Sequence, residues 1–130
     1  MRKVITIVLL IVLTSCLKSY AAEEPQLLMM RCTAYCIHGT TASGTPTRIG
    51  ICATGRKELL GKTVILYRRL PGNEIGDYIG IYEVTDTGCN SNVIDIWQPT
   101  LDDCQKVMDC VYEQNAAGRI FVQVIEGAEG

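Results

Sequence analysis

The chain has 130 residues, of which 48% are apolar and 20% charged, and its formal net charge is −2. That length allows one domain around a single modest core. The charge excludes nucleic acid as a partner: without Arg2, Lys3 and Lys18 near the N-terminus, nine basic residues face 14 acidic ones, and no basic stripe with interleaved aromatics offsets them.

Residues 1–21 read as an export signal. Met1-Arg2-Lys3 is a basic start, and the apolar run from Val4 to Leu13 is too short to span a bilayer. Ser19-Tyr20-Ala21 offers an ordinary cleavage site, whereas Leu13-Thr14-Ser15-Cys16 resembles a bacterial lipobox in which Cys16 would be lipidated. A membrane is a partner only on the second route. Because no typical second anchoring signal follows Cys16, free secretion is the preferred expectation, with a monomeric single domain over 22–130.

Most of the following signals are β. Leu28 to Tyr35 predicts a first strand, His38 to Arg48 a polar loop rich in Gly, Thr, Ser and Pro, and Ile49 to Ala53 a short strand. Val64 to Tyr67 reads as buried strand, Leu70-Pro71-Gly72-Asn73 as a turn, and Tyr78 to Val84 and Val93 to Trp97 as two further strands. The period changes between Pro99 and Asn115. There Leu101, Cys104, Val107, Met108 and Val111 fall on one helical face, with Thr100 as N-cap and Asp102 and Asp103 in the first turn. Gly118 ends the helix and Ile120 to Ile125 makes the last strand. The expectation is a small, mainly β barrel of six to seven strands with one helix near the C-terminus.

With Cys16 removed or lipidated, Cys32, Cys36, Cys52, Cys89, Cys104 and Cys110 remain. In an exported domain an even number of cysteines predicts disulfides, here three, whose pairing the sequence leaves open. Zinc is the competing use. Cys32-x3-Cys36-x-His38 is the nearest ligand cluster, but it lacks a second pair, so neither metal nor any other cofactor is expected.

Two aspartates carry the functional signal. Asp86 lies in Val84-Thr85-Asp86-Thr87-Gly88 and Asp95 in Val93-Ile94-Asp95-Ile96-Trp97. A carboxylate inside an apolar, β-branched run is costly to bury unless something compensates it, and such a placement suggests a site. Each also has a structural reading: Asp86 as the cap of an Asp-Thr-Gly turn, and Asp95 as an interior charge paired with Arg119 or Lys62. Trp97 shares a strand face with Asp95, so it is either a sugar-stacking platform or a core residue, and the same choice holds for Tyr35. His38 is expected to be exposed and Arg68-Arg69 to be a solvated strand end.

Taken in order, Cys32-Thr33-Ala34-Tyr35-Cys36, Thr41-Ala42-Ser43-Gly44-Thr45, Leu60-Gly61-Lys62-Thr63-Val64, Thr85-Asp86-Thr87-Gly88 and Val93-Ile94-Asp95-Ile96-Trp97 resemble the 3D, or three-aspartate, domain of bacterial wall-active proteins. The resemblance covers about residues 31 to 125. It implies a double-psi β-barrel related to membrane-bound lytic transglycosylase A and, more distantly, to expansins and family 45 endoglucanases. Two departures accompany it. The first of the family's three aspartates falls at Thr54, and Cys89 stands where a second glycine is common.

What the resemblance implies chemically is cleavage of MurNAc-GlcNAc bonds in peptidoglycan. A hydrolase needs an acid and a second carboxylate that directs water or attacks the sugar. A lytic transglycosylase instead uses the muramic acid's C6 hydroxyl, so one residue can protonate the glycosidic oxygen and then take the hydroxyl proton. Asp95 is the expected acid and base, and Asp86 the ionised partner that orients the sugar. Tyr35, Thr41, Ser43 and Trp97 are expected to contact saccharide. A non-catalytic, expansin-like module binding the wall is the alternative. A disulfide-stapled protein acting on another protein is a third class, for which only the cysteine density speaks.

Overall fold

The computed structural model describes residues 26–125; the expected signal segment and Cys16 lie outside them. Six strands, β1 (Gln26–Tyr35), β2 (Ile51–Ala53), β3 (Thr63–Leu70), β4 (Glu74–Asp86), β5 (Val93–Trp97) and β6 (Arg119–Ile125), accompany one α-helix, α1 (Leu101–Tyr112). The strands hydrogen-bond in the order β1-β5-β2-β4-β3-β6 and close on themselves. The β1/β5 and β2/β4 pairs are parallel and the other four antiparallel. A mainly β chain with one helix thus agrees with the alternation read from the sequence.

Period-two alternation places the core. Met30 and Cys32, Val64 and Leu66, Ile94 and Ile96, and Ile120, Val122 and Val124 all belong to one buried cluster, joined by Cys52, Val84 and Val111 of the helix. These side chains are mostly β-branched or compact, as a pleated wall packed on one face demands.

Strand bounds differ from expectation where turn chemistry decides. Gly72 and Asn73 both adopt positive φ, 80° and 58°, which makes the turn tight enough for Leu70 to pair with Glu74. β4 therefore begins four residues before Tyr78. β2 begins only at Ile51, after Gly50 turns the chain at φ 99°, and leaves Ile49 exposed.

Helix α1 starts as its sequence predicts. Thr100 Oγ1 accepts from the Asp103 backbone N–H at 3.1 Å and donates to Asp103 Oδ2 at 2.9 Å, filling one of the orphan donor positions of a helix N-terminus. Leu101 is a correction: it is 75% exposed, and Cys104, Val107 and Val111 make the packed face.

Arg68 is a second correction. It is buried, and its guanidinium donates to Cys110 O at 3.2 Å, Glu113 O at 3.1 Å and Gln114 Oε1 at 2.7 Å. A cation set against the last carbonyls of a helix adds a charged donor to acceptors that already hold one backbone N–H each, and meets the negative dipole end. Arg69 donates beside it to Ala116 O at 2.9 Å. This pair is the C-terminal cap of α1 and not a solvated strand end.

The three expected disulfides are not formed. Cys32, Cys36, Cys52, Cys89, Cys104 and Cys110 are all free thiols. Cys32 and Cys52 project into the barrel core and pack there as small apolar side chains, so the domain's closure rests on its strand ladders. Burial pushes the Cys32 thiol up to about 12, with the Asp95 charge adding to the effect.

Candidate functional site

The residues opposite the core face form the site. Ile94 and Ile96 point inward, so Asp95 and Trp97 point outward from β5. Register then aligns Asp95 with Thr33 of β1 on one side and with Ala53 of β2 on the other. Ala53 in turn stands opposite Asp86 of β4. Thr33, Asp95, Ala53 and Asp86 make one row across four strands, and Tyr35 paired with Trp97 makes the next row.

A bulge creates this alignment. The β2/β4 register shifts between Cys52 and Ala53, so Cys52 faces Val84 while Ala53 faces Asp86, with Thr85 as the extra residue. One inserted residue re-aims the strand end, and without it Thr85 would take the place of Asp86. Thr85 and Val84 are consequently both buried in sequence. With strands about 4.8 Å apart, two spacings place the Cα atoms of Asp86 and Asp95 roughly 10 Å from each other, separated by the methyl group of Ala53.

The two carboxylates have different surroundings. Thr33 Oγ1 donates to Asp95 Oδ1 at 2.7 Å. Desolvation raises the Asp95 carboxyl above the usual carboxylate range, and the Thr33 hydrogen bond offsets part of that rise. Asp86 Oδ1 accepts from the backbone N–H of Thr87 at 2.9 Å, the Asp-Thr-Gly turn contact its sequence suggested. Above them, the Tyr35 hydroxyl oxygen is buried without a hydrogen-bond partner. Burial raises that phenol to about 12, with the charges of Asp86 and then Asp95 adding to it. Both carboxylates therefore face the same tyrosine.

The loop after β1 covers one side. Thr41, Ser43 and Thr45 form a triangle of hydroxyl oxygens, each 3.1 Å from the other two, and Thr41 Oγ1 also donates to Thr45 O at 3.0 Å. Ser43 N–H donates to Thr85 O at 3.0 Å, which seats the triangle on the bulge beside Asp86. Thr41 is buried and Ser43 exposed. Trp97 is only 4% exposed; its Nε1 donates to Ile37 O at 2.8 Å and His38 meets its ring edge-on at 5.3 Å. Trp97 thus holds the segment leading into the loop, and its ring face is covered.

Three participants were missed by sequence reasoning. Thr33 and Ala53 become site residues only through strand register, for which the sequence carries no direct signal. Gly55 is the third. A side chain there would lie 2.1 Å from Cys89 O and 2.7 Å from Asn90 C and Ser91 N, so glycine alone lets the 89–91 segment close over the end of β2, where Gly55 N–H donates to Asn90 O at 3.1 Å. Thr54, at the family's first aspartate position, is fully buried. Its N–H donates to Asp86 O at 3.0 Å, and its hydroxyl accepts from Arg56 N–H at 3.3 Å. Among the described residues no group of His, Cys, Asp and Glu could hold a metal ion.

No family model matches this sequence, and no curated protein matches it. Among solved structures the chain is similar to the Streptomyces papain inhibitor, with 18% identity over 78% of this chain and 96% of that one and a TM-score of 0.49. A likeness of this size bears on neither activity nor partner.

Proposed function

We propose that this chain is an exported wall-active protein of 3D-domain type, with a double-psi β-barrel, that cleaves peptidoglycan glycan strands as a lytic transglycosylase. The observation that carries the reading is the Asp95 carboxyl, half-buried, raised in proton affinity, held by Thr33 and set across Ala53 from Asp86. The closed six-stranded sheet with two parallel pairs supports the barrel type.

In this reaction Asp95 starts protonated and gives its proton to the glycosidic oxygen as the bond to C1 breaks. The muramic C6 hydroxyl then attacks C1, and the Asp95 carboxylate takes the hydroxyl proton, which restores the acid and leaves a 1,6-anhydro ring. An ionised Asp86 would offset the oxocarbenium charge from the far side of Ala53. The half-buried Tyr35 ring and exposed Ser43 would border the saccharide, while Thr41 and Trp97 would hold the loop and its entry.

The test is incubation of the purified chain with insoluble peptidoglycan, reading soluble products by mass spectrometry. Anhydromuramic ends are expected; reducing muramic ends would mean hydrolysis, with Asp86 as base. The second reading, a wall-binding module without catalysis, is favoured by one observation: buried Thr54 supplies a hydroxyl where the family carries a carboxylate. Pelleting with peptidoglycan but no soluble product would select it, and neither pelleting nor product would end both.

A further inference from the structure

Helix α1 follows β5 in the chain but packs chiefly on β1. Gln98 N–H donates to Tyr35 O at 2.8 Å, which ties the end of β5 to the end of β1. Pro99 and Thr100 then turn the chain, and α1 starts back along β1. Cys104 lies one turn into that helix, buried on its packed face. Cys36 is the residue directly after β1, half-buried beside it. Cys36 is the neighbouring side chain with the largest influence on the Cys104 thiol.

We propose that Cys36 and Cys104 are the cysteines that oxidise to a disulfide, clamping helix α1 to the end of β1 from which the loop over the site departs. This inference does not depend on glycan cleavage. Cys32 and Cys52 are committed to the core, Cys89 Sγ contacts Val93 O at 3.8 Å and Cys110 sits in the last turn of α1 at the Arg68 cap, which leaves Cys36 and Cys104 as the pair that neighbour each other outside the barrel interior.

The oxidant is a small-molecule disulfide. The Cys36 thiol, after losing its proton to solvent, attacks one sulfur of oxidised glutathione; that S–S bond breaks and one glutathione thiolate leaves. Cys104, after losing its own proton, attacks the Cys36 sulfur of the mixed disulfide and expels the second glutathione. Two protein thiols are oxidised by two electrons, and one glutathione disulfide is reduced to two thiols. Desolvation raises the Cys104 thiol, and the neighbouring Cys36 adds to the effect, so more exposed Cys36 is the entry point and Cys104 the resolving thiol.

The full chain, equilibrated while folded in a glutathione redox buffer, is alkylated with iodoacetamide in denaturant without reduction and digested with trypsin and chymotrypsin. Cleavage after Tyr35 and Trp97 separates Cys36 from Cys32 and Cys104 from Cys89. The expected product is a cross-linked species joining a peptide from 36–48 to one from 98–106, lighter by two hydrogens than the two thiol peptides together. Alkylation of both cysteines, or linkage of Cys36 to any other cysteine, would overturn the proposal. Cys36→Ser should convert Cys104 from unlabelled to fully labelled and leave the labelling of the other cysteines unchanged; label appearing elsewhere instead would also overturn it.

Discussion

Asp86 and Asp95 stand on opposite sides of Ala53, each in register with it from a different neighbouring strand. They are nine positions apart in the chain, yet their relation is set by neither their spacing nor the loop between them. It is set by β2, three residues long, which separates their strands and supplies the smallest side chain that still has a Cβ. Only Asp95 receives a side-chain hydroxyl, and its carboxyl is raised by burial. Environments that differ in this way are how two like groups take unlike roles.

Asp95→Asn should abolish cleavage, with a loss of roughly 10²–10⁴ in rate, and should change stability in a pH-dependent way. Because burial raises the folded-state carboxyl above its unfolded value, the stability it contributes is full below the unfolded value and is lost as pH rises through the folded one. Asparagine keeps the acceptor for Thr33 but cannot ionise. Thermal melts should therefore coincide near pH 3, about a unit below the ordinary aspartate value, and favour the variant at neutral pH. A parent protein that melts higher than Asp95→Asn at neutral pH would contradict this assignment.

Thr33→Val removes the hydroxyl and keeps the shape. The hydrogen bond at 2.7 Å favours the ionised carboxyl, so its loss should move Asp95 to a still higher pKa. Carboxyl carbon shifts followed by NMR titration should show Asp95 titrating at higher pH than in the parent. In a cleavage assay the basic limb of the pH profile should move in the same direction. An Asp95 titration that stays put would mean that the hydroxyl does not tune it.

Much of this fold was legible because period-two alternation survives in β3 and β5: Val93 to Trp97 was read with its observed bounds, and Thr100 with its observed cap. Arg68 was misread because a cation at a strand end is usually solvated, and nothing local announces that a helix terminus will arrive 42 residues later in the chain. The site was half legible. Asp86 and Asp95 stood out as charges in apolar runs, whereas Thr33 and Ala53 acquire meaning only from register, and the bulge at Thr85 that brings Asp86 into line has no sequence mark of its own.

Gly55→Ala should destabilise the fold by about 2 kcal/mol or more, above the usual cost of one inserted methyl group, because every atom it would meet is backbone and cannot rotate away. The nearest, Cys89 O, is 2.1 Å from the added carbon. The 89–91 segment must move, and the bond from Gly55 N–H to Asn90 O goes with it. Urea unfolding should show a lower midpoint at unchanged slope. A midpoint equal to the parent's would mean that the segment does not need this close approach.

Arg68→Met tests the buried cap of α1. Methionine keeps most of the apolar stem and removes the guanidinium, leaving Cys110 O and Glu113 O with only their backbone donors and Gln114 Oε1 without its charged partner. Stripping a buried, multiply bonded cation from such acceptors should cost about 2–4 kcal/mol. Arg48→Met is the matched control: its ion pair with Glu83 is short, 2.7 Å, but both side chains are about half exposed, at 50% and 47%, and exposed pairs contribute about 1 kcal/mol at most. Hydrogen exchange should localise the effect, with faster exchange in the last turn of α1 for Arg68→Met and little change there for Arg48→Met. Equal losses in the two variants would show that the buried guanidinium is no more than a surface charge in its energetics.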